Sequence, residues 1–402
     1  LGLFAIIIKG VITPLGEPSA LPQIANVAVT GIKAGYQTMD ALAALPFGII
    51  VLQSVTAKGY DSGRKQFRVV GGSAVLAGIL LLAVYVQIQR PQFFGVPSLV
   101  NIVSLTAARL PMALGVAGCI VLAGTDLTGG RVAGLTAFVA AILLQRADVA
   151  NRVLAGGAPA NIVLVLLLVM LIGACVGLIN GFVMAKFKVH PYIITLAMQM
   201  IVYGIYLTVS NSVQVGSFDS SYTTSFVTKP LFQIQTGVRP NGTAIFTVVP
   251  MYVLLALIVT ALMWVVWNKT AFGKNMFAVG SNEEAARVSG VNVMMTIIGV
   301  FMVAGALYGY TGFIEAARMG SSTATLGLNY EADAISAAVI GGVSFVGGTG
   351  RISGVVLGVF MMQLIIAGMT FLGISGNVTY IVKGAVILFA VILDMRKYMT
   401  RK

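Results

Sequence analysis

Charged residues are scarce in this sequence, and their scarcity excludes a water-soluble fold. Of the 402 residues, 58% are hydrophobic and only 9% are Asp, Glu, Lys or Arg. A soluble protein of this length needs many more polar side chains to cover its surface. The composition therefore predicts an all-α, polytopic membrane protein whose apolar segments lie in the lipid bilayer.

Histidine and cysteine are also rare, which argues against metal, cofactor and catalytic sites. His190 is the only histidine, and Cys119 and Cys175 lie in separate apolar stretches without a partner motif. No set of nucleophile, histidine and acid is visible. The phosphate-binding motif G-x-x-x-x-G-K-[ST] is missing too, because Gly273-Lys274 lacks the upstream glycine and the following hydroxyl. We expect neither an enzyme nor a bound cofactor, so any ATP hydrolysis must take place on another subunit.

Basic residues outnumber acidic ones by 25 to 12, giving a formal net charge of +13. Nucleic acid attracts such a charge, but short basic loops also keep one side of a membrane protein in the cytoplasm. Basic residues flank the apolar core: Lys58, Arg64, Lys65 and Arg68 before it, and Arg396, Lys397, Arg401 and Lys402 after it. We therefore interpret the charge as a topology signal and expect no nucleic-acid partner.

Ten apolar segments follow the first basic cluster. They cover residues 69–89, 99–123, 132–145, 160–185, 191–209, 244–267, 293–313, 333–350, 353–373 and 378–394. An even number of crossings places both ends of this core in the cytoplasm, in agreement with the flanking basic residues. The same parity puts residues 268–292 inside and the Ser/Thr-rich stretch 210–243 outside.

Several of these segments make poor uninterrupted helices. The third is short, Pro111 is expected to break the second, and residues 341–350 contain five glycines. Backbone released by a break at membrane depth must be buried in protein or line a cavity, so a transport pathway is expected at interrupted spans. The alternative is close packing, since small residues let helices approach each other.

The longest polar interruption that still looks structured runs from Trp264 to Val293. Ser281 or Asn282 precedes the helix formers Glu283 to Arg287, and Gly290 stands where a helix would stop. Carboxylates in the first turn and an arginine in the last match the helix dipole. We predict a short amphipathic helix that packs on the bilayer or on the protein's own core. The apolar face of this helix would consist of Ala285, Ala286 and Val288.

The motif GTDLTGGR, Gly124 to Arg131, places an acid and a base between two apolar spans. Such charges are costly at membrane depth unless they are paired. One interpretation is structural: Asp126 caps the following helix and Arg131 pairs with it. The other is direct contact with a substrate. Most of the remaining charges in or beside spans are expected to be paired or to reach the interface; these are Arg109, Glu315, Arg318, Glu331, Asp333 and Lys383.

From about residue 68 to residue 402, the chain resembles the sugar-type permeases of ATP-binding-cassette importers. The matching blocks include LGVAGCIVLAGTDLTGGR (114–131), IGACVGLINGF (172–182) and YEADAISAAVIGGVSFVGG (330–348), with further blocks at 266–293 and 381–394. Within the family these blocks are most similar to the galactose and methyl-galactoside branch, and ribose, xylose or another sugar remains open. The resemblance implies a homodimer of ten-helix permeases in the inner membrane, a cytoplasmic ATP-binding subunit and a periplasmic or extracellular sugar-binding protein.

The resemblance also implies roles for particular residues. Residues 268–292 stand as in the cytoplasmic coupling loop that docks on the ATPase. The positions concerned are Gly273, Asn282, Glu283, Ala285, Ala286 and Gly290. The G-x-D-L-S signature near the third span, with threonine in place of serine, corresponds to Gly124, Asp126, Leu127, Thr128, Gly130 and Arg131.

The first sixty residues depart from this pattern. GYQTMDALAALPFGIIVLQSVTAKG, residues 35–59, resembles a piece of the branched-chain amino acid carriers, which are driven by ions and use no ATPase. We interpret residues 1–62 as a foreign or fused apolar segment and residues 63–402 as the permease domain; a simple N-terminal anchor is the alternative. An ion-driven carrier has no use for a docking helix, so residues 268–292 favour the ATP-driven class.

Overall fold

The structure is a computed structural model that describes residues 78–149, 152–153, 159–240 and 243–399. The predicted separate segment 1–62 lies outside the described residues, as does the beginning of the predicted segment 69–89. The described chain is mostly helical. Its helices are α1 Gly78–Gln89, α2 Val96–Val121, α3 Gly129–Leu143, α4 Ile162–Phe187, α5 Pro191–Ser210, α6 Met251–Lys269, α7 Ala271–Ser281, α8 Glu283–Val288, α9 Val293–Met319, α10 Tyr330–Ile340, α11 Ile352–Phe371 and α12 Gly376–Met399.

Six of these helices, α2, α4, α5, α6, α9 and α11, are long and apolar enough to cross a membrane. Shorter apolar helices cover Gly78–Gln89, Gly129–Leu143 and Gly376–Leu388. The chain is therefore a multi-pass membrane protein, as the composition predicts. Each of the ten predicted segments contains a helix, and six of the described helices are candidates for complete crossings by length and composition.

The structure corrects three of the predicted boundaries. Pro111 lies inside α2 without ending it, because a proline removes only one backbone hydrogen bond and neighbouring helices bury the site. The segment predicted to start at residue 244 begins as a strand, and α6 starts only at Met251. The segment 333–350 is helical only to Ile340, after which its glycines form a turn with Gly342, Gly347 and Gly348 at positive φ.

The strands occur in two small antiparallel pairs. β1 Val215–Gly216 pairs with β4 Ser321–Ser322, which ties the segment after α5 to the segment after α9. β2 Pro230–Val238 and β3 Ala244–Pro250 form a hairpin that leads directly into α6. Most side chains of this hairpin are exposed. β1, β2 and β3 fall in or next to residues 210–243, the stretch that the parity of crossings predicts to lie outside the cell.

The helices form a buried group and an exposed group. In α2, α9 and α11, 61 to 67% of the most apolar window is buried, whereas in α4, α5 and α6 the share is 22 to 28%. The second group therefore presents its leucine, isoleucine and valine side chains outward, where lipid can cover them. Glycines let α4 approach α9 closely: a Cβ on Gly173 would lie 2.0 Å from the carbonyl oxygen of Gly305. Small residues thus allow the backbones of these two helices to touch.

Candidate functional site

The GTDLTGGR motif forms a buried turn between α2 and α3. Asp126 is fully buried, and its Oδ1 accepts a hydrogen bond from the backbone N–H of Thr128 at 2.9 Å and another from the Thr128 hydroxyl. The hydroxyl of Tyr308 on α9 donates to Asp126 Oδ2 at 3.3 Å. The amide of Asn180 on α4 donates to the Thr128 hydroxyl at 3.3 Å. The motif thus joins the break after α2 to two long neighbouring helices.

The predicted pair between Asp126 and Arg131 is wrong. Asp126 is bound by Thr128 and Tyr308, while the Arg131 guanidinium lies over the Tyr203 ring on α5, 4.0 Å from its centroid. Arg131 lies in the first helical turn of α3, on the side that faces α5, whereas Asp126 is buried in the loop before α3. Asp126 also does not cap α3, because it accepts its backbone hydrogen bond from Thr128, which precedes the helix. Thr128 itself makes no side-chain cap.

The remaining motif residues hold α3 against its neighbours. Gly124 lies beside Pro191 at the start of α5, and Leu127 packs at the edge of the main apolar core. Gly130 faces α10, where a Cβ would lie 2.1 Å from both the Glu331 carboxylate and the Gly327 carbonyl. Only glycine fits at that position. The motif therefore positions an interrupted part of the membrane region without the predicted pair between Asp126 and Arg131.

The polar interruption after α6 folds into two helices. α7 begins after Thr270, whose hydroxyl accepts from the N–H of Gly273 at 3.2 Å. A Cβ on Gly273 would collide with the carbonyl oxygens of Val266 and Trp267, at 2.4 and 2.3 Å, so the sharp bend between α6 and α7 requires glycine. The segment is therefore held rigidly against the end of a membrane span.

The predicted short helix is confirmed as α8, six residues long. Asn282, one of the two predicted caps, accepts from the N–H of Ala285 at 2.9 Å, and Gly290 has a φ of +83° just after the helix. Arg287 pairs with Glu283 at 2.7 Å across one turn of the helix surface. Both ends of the helix and its charge pattern follow the sequence.

The faces of α8 differ from the predicted arrangement. Ala286 is only 4% exposed and packs into the chain's own apolar core, whereas Val288 is 89% exposed. Every other residue of α8 is exposed. The predicted apolar face of Ala285, Ala286 and Val288 is therefore split. Ala286 anchors the helix to the permease, and Ala285, Val288 and the charged residues project away from it.

Close backbone contacts join α7 to two interrupted parts of the membrane region. A Cβ on Gly280 would lie 1.8 Å from the carbonyl oxygen of Val121, at the end of α2. The same carbonyl accepts from the N–H of Gly348 at 2.8 Å, in the turn between α10 and α11. A Cβ on Gly347 would lie 2.5 Å from the carbonyl oxygen of Gly280. We call these residues, Val121, Gly280, Gly347 and Gly348, the glycine junction.

A network of ion pairs lies among the membrane helices. The Nε of Arg109 on α2 donates to Glu315 Oε1 at 2.7 Å, and Arg318 donates to the other oxygen of Glu315, also at 2.7 Å. Lys383 on α12 bonds Asp333 on α10 at 2.8 Å. Glu315 is fully buried. The expectation that these charges are paired is confirmed for all five. We call these residues the ion-pair network.

Glu331 departs from that expectation. Its side chain is 7% exposed, and its Oε2 has no hydrogen-bond partner within the described part of the chain.

Among the described residues, no group of three or more His, Cys, Asp or Glu could hold a metal ion. Cys119 and Cys175 are free thiols, one buried and one exposed. The chemistry available at membrane depth is thus hydrogen bonding and charge pairing.

These features define a class: a multi-pass membrane permease with interrupted spans and a short exposed helix between two long ones. Residues 98–391 match the family described as branched-chain amino acid transport system / permease component. Because that match covers well over half of the chain, the protein belongs to this permease family. No solved structure matches the chain significantly.

Several curated relatives of this chain are sugar permeases. The galactose/methyl galactoside import permease protein of Escherichia coli is 44% identical over 327 residues, which are 81% of this chain and 94% of that protein. Its counterpart in Haemophilus influenzae is 38% identical over 84% of this chain and 98% of that protein. The ribose import permease protein of Escherichia coli is 33% identical over the same shares. This chain is therefore similar to permeases of more than one sugar.

Sequence reasoning missed two features of the site. The glycine junction joins residues more than 150 positions apart, and no local pattern pairs Val121 with Gly280. Gln363 was not singled out, although an amide within an apolar span is a visible signal. Val288 was singled out, but its exposure depends on which side of α8 meets the protein.

Proposed function

We propose that this chain is the transmembrane permease subunit of an ATP-driven importer of a neutral sugar. The sugar we expect is galactose or methyl-galactoside. The observation that carries the proposal is α8, a rigidly capped helix that is anchored by one alanine and otherwise exposed between two long spans. An ion-driven transporter, which binds no ATPase, does not need an exposed helix of this kind. The names of its relatives supply the substrate class, with ribose or xylose as alternatives.

In this proposal α8 binds a cytoplasmic ATP-binding subunit. Ala286 fixes the helix, Gly273 fixes the bend below it, and Asn282 and Gly290 define its ends. Glu283, Ala285 and the exposed Val288 form the contact surface. Motion of α8 would reach the interrupted spans through the glycine junction, because α7 joins the end of α2 there to the turn before α11.

The proposed topology has ten membrane segments, the six long spans together with α1, α3, α10 and α12. Both ends of the core and residues 268–292 then face the cytoplasm, and residues 210–243 face outside, where a sugar-binding protein docks. Two copies of the chain form the permease in the inner membrane. Residues 124–131, with Gly124, Asp126, Leu127, Thr128, Gly130 and Arg131, position the helices beside the pathway.

Residues 1–62 are proposed to be separate from the permease domain, 63–402. The support is that the Escherichia coli galactose permease aligns over 94% of its own length with 81% of this chain. A chain lacking residues 1–62 should insert in the membrane and transport sugar at the full rate. Normal insertion combined with lost uptake would assign the segment to the mechanism.

The competing function is an ion-driven amino acid carrier. Proteoliposomes containing the full chain, reconstituted with the ATPase and the sugar-binding protein of a galactose importer, separate the two. We expect uptake of labelled galactose that requires internal ATP and binding protein and is unaffected by ionophores. Leucine uptake that follows an imposed ion gradient without ATP would overturn the proposal.

A further inference from the structure

A small cavity with four polar residues in a mostly apolar wall lies among α2, α10 and α11, inside the region of apolar spans. Its volume is about 10 Å³, and its polar lining consists of Arg109, Tyr330, Asp333 and Gln363. The rest of its wall is alanine, valine and methionine. The cavity adjoins the ion-pair network, because Arg109 and Asp333 belong to both.

Gln363 is the first sign that the cavity serves a ligand. It sits in the buried span α11, is 5% exposed, and its side-chain amide makes no hydrogen bond within the described part of the chain. The residue lines the cavity among alanine, valine and methionine side chains. The amide offers both a donor and an acceptor to whatever enters the cavity.

Arg109 also retains unused donors. Within the described residues it donates one hydrogen bond, from Nε to Glu315, while its Nη1 lies 3.8 Å from Asp333 Oδ2, beyond hydrogen-bond range. Its guanidinium stacks on the Tyr330 ring, 3.3 Å from the centroid, which fixes the plane of the fork. The network contains three cations and only two carboxylates. The cations therefore share the carboxylates, and Arg109 keeps N–H donors that no carboxylate accepts.

We propose that Arg109, Tyr330, Asp333 and Gln363 form a sugar-contact site within the membrane pathway, for the hydroxyl groups of a neutral monosaccharide. This inference rests on the proposed function. Adjacent sugar hydroxyls both donate and accept, so they match an amide, a phenol, a carboxylate and a partly used guanidinium. A neutral ligand also leaves the charge balance of the network unchanged.

A cavity of this size holds about one water molecule, so a sugar can enter only after the surrounding helices have separated. The backbones of α10 and α11 meet directly: a Cβ on Gly358 would lie 1.9 Å from the Ala337 carbonyl oxygen. We expect these two helices to move together, so that the site opens when the pair shifts away from α2 around Arg109. The turn joining them carries the glycine junction, which connects the opening to α7 and α8.

The test uses the complete transporter in proteoliposomes with labelled galactose and labelled ribose. Gln363→Met keeps the side-chain length and removes the amide. We expect galactose uptake to fall about tenfold, the factor for one or two lost hydrogen bonds, while binding-protein-stimulated ATP hydrolysis stays within twofold. Met361→Leu, a buried position in the same helix outside the cavity, should leave both rates unchanged.

A second variant, Gln363→Asn, retains the amide but withdraws it by one methylene. We expect it to change the ratio of galactose to ribose uptake, which a purely structural role would not move. Uptake rates and ratios equal to those of the unmodified chain in both variants would overturn the site. If the unmodified chain itself transports neither sugar with ATP, the proposed function fails first, and this inference fails with it.

Discussion

Two ion-paired regions of this protein use the same residue types for different purposes. On α8, Arg287 pairs with Glu283, and both side chains are 48% exposed. In the ion-pair network, Arg109 pairs with Glu315 at the same 2.7 Å, but Glu315 is fully buried. Water screens the first pair, so that pair adds little to the free energy of unfolding. Removing either member of the second pair leaves a buried charge without a partner and destabilises the fold strongly. The outer pair shapes a surface, and the inner network joins helices.

Removing the shared carboxylate of the network should have the largest effect. Glu315→Ala leaves Arg109 and Arg318 without their bound oxygens, and breaking a buried pair costs about 3 to 5 kcal/mol. We expect little folded permease in detergent, measured as the monodisperse fraction on size exclusion. Glu284→Ala on α8, where the side chain is 76% exposed, is the matched control and should give a normal yield. Equal yields from the two variants would contradict the comparison.

The glycine junction should show the next largest effect. Gly280→Ala forces a Cβ against the Val121 carbonyl, and overpacking of this kind costs about 1 to 3 kcal/mol. We expect a lower melting temperature and fewer sugar molecules transported per ATP. Gly204→Ala in α5 is the control, because no atom lies within 4 Å of its added Cβ. If both variants melt and couple like the unmodified protein, the junction does not link α7 to the spans.

Breaking the exposed pair should have the smallest effect. Glu283→Gln removes one charge from α8, and exposed pairs spaced four residues apart contribute below about 0.5 kcal/mol. The melting curve of the purified permease should be nearly unchanged. A loss as large as that of Glu315→Ala would show that exposure does not distinguish the two regions.

Helix starts were predicted best where the sequence carries a local signal. Pro191 and Asn292 mark the beginnings of α5 and α9, and both predicted segments begin at the observed residue. Residues 244–250 were misassigned because a short apolar β-branched run joins α6 without a polar break. Periodicity cannot separate such a run from the helix that follows it.

Contacts between distant residues were beyond the sequence for a physical reason. Arg109 and Glu315 are 206 positions apart, and only the packing of α2 against α9 brings them together. Ala286 and Val288 have similar local surroundings, yet one is buried and the other exposed. The rotation of α8 about its axis decides between them, and that rotation is set by the core beneath it.

The central claim is that α8 connects this permease to an ATPase, and Val288 tests it most directly. Val288 is 89% exposed, so Val288→Glu should leave the fold and melting temperature unchanged. We expect ATPase bound on co-purification to fall about tenfold, as when a charge enters an apolar contact. Val213→Glu changes an exposed valine in the segment after α5, which should face the opposite side, and serves as control. Normal ATPase binding and normal ATP-dependent uptake by Val288→Glu would contradict the account.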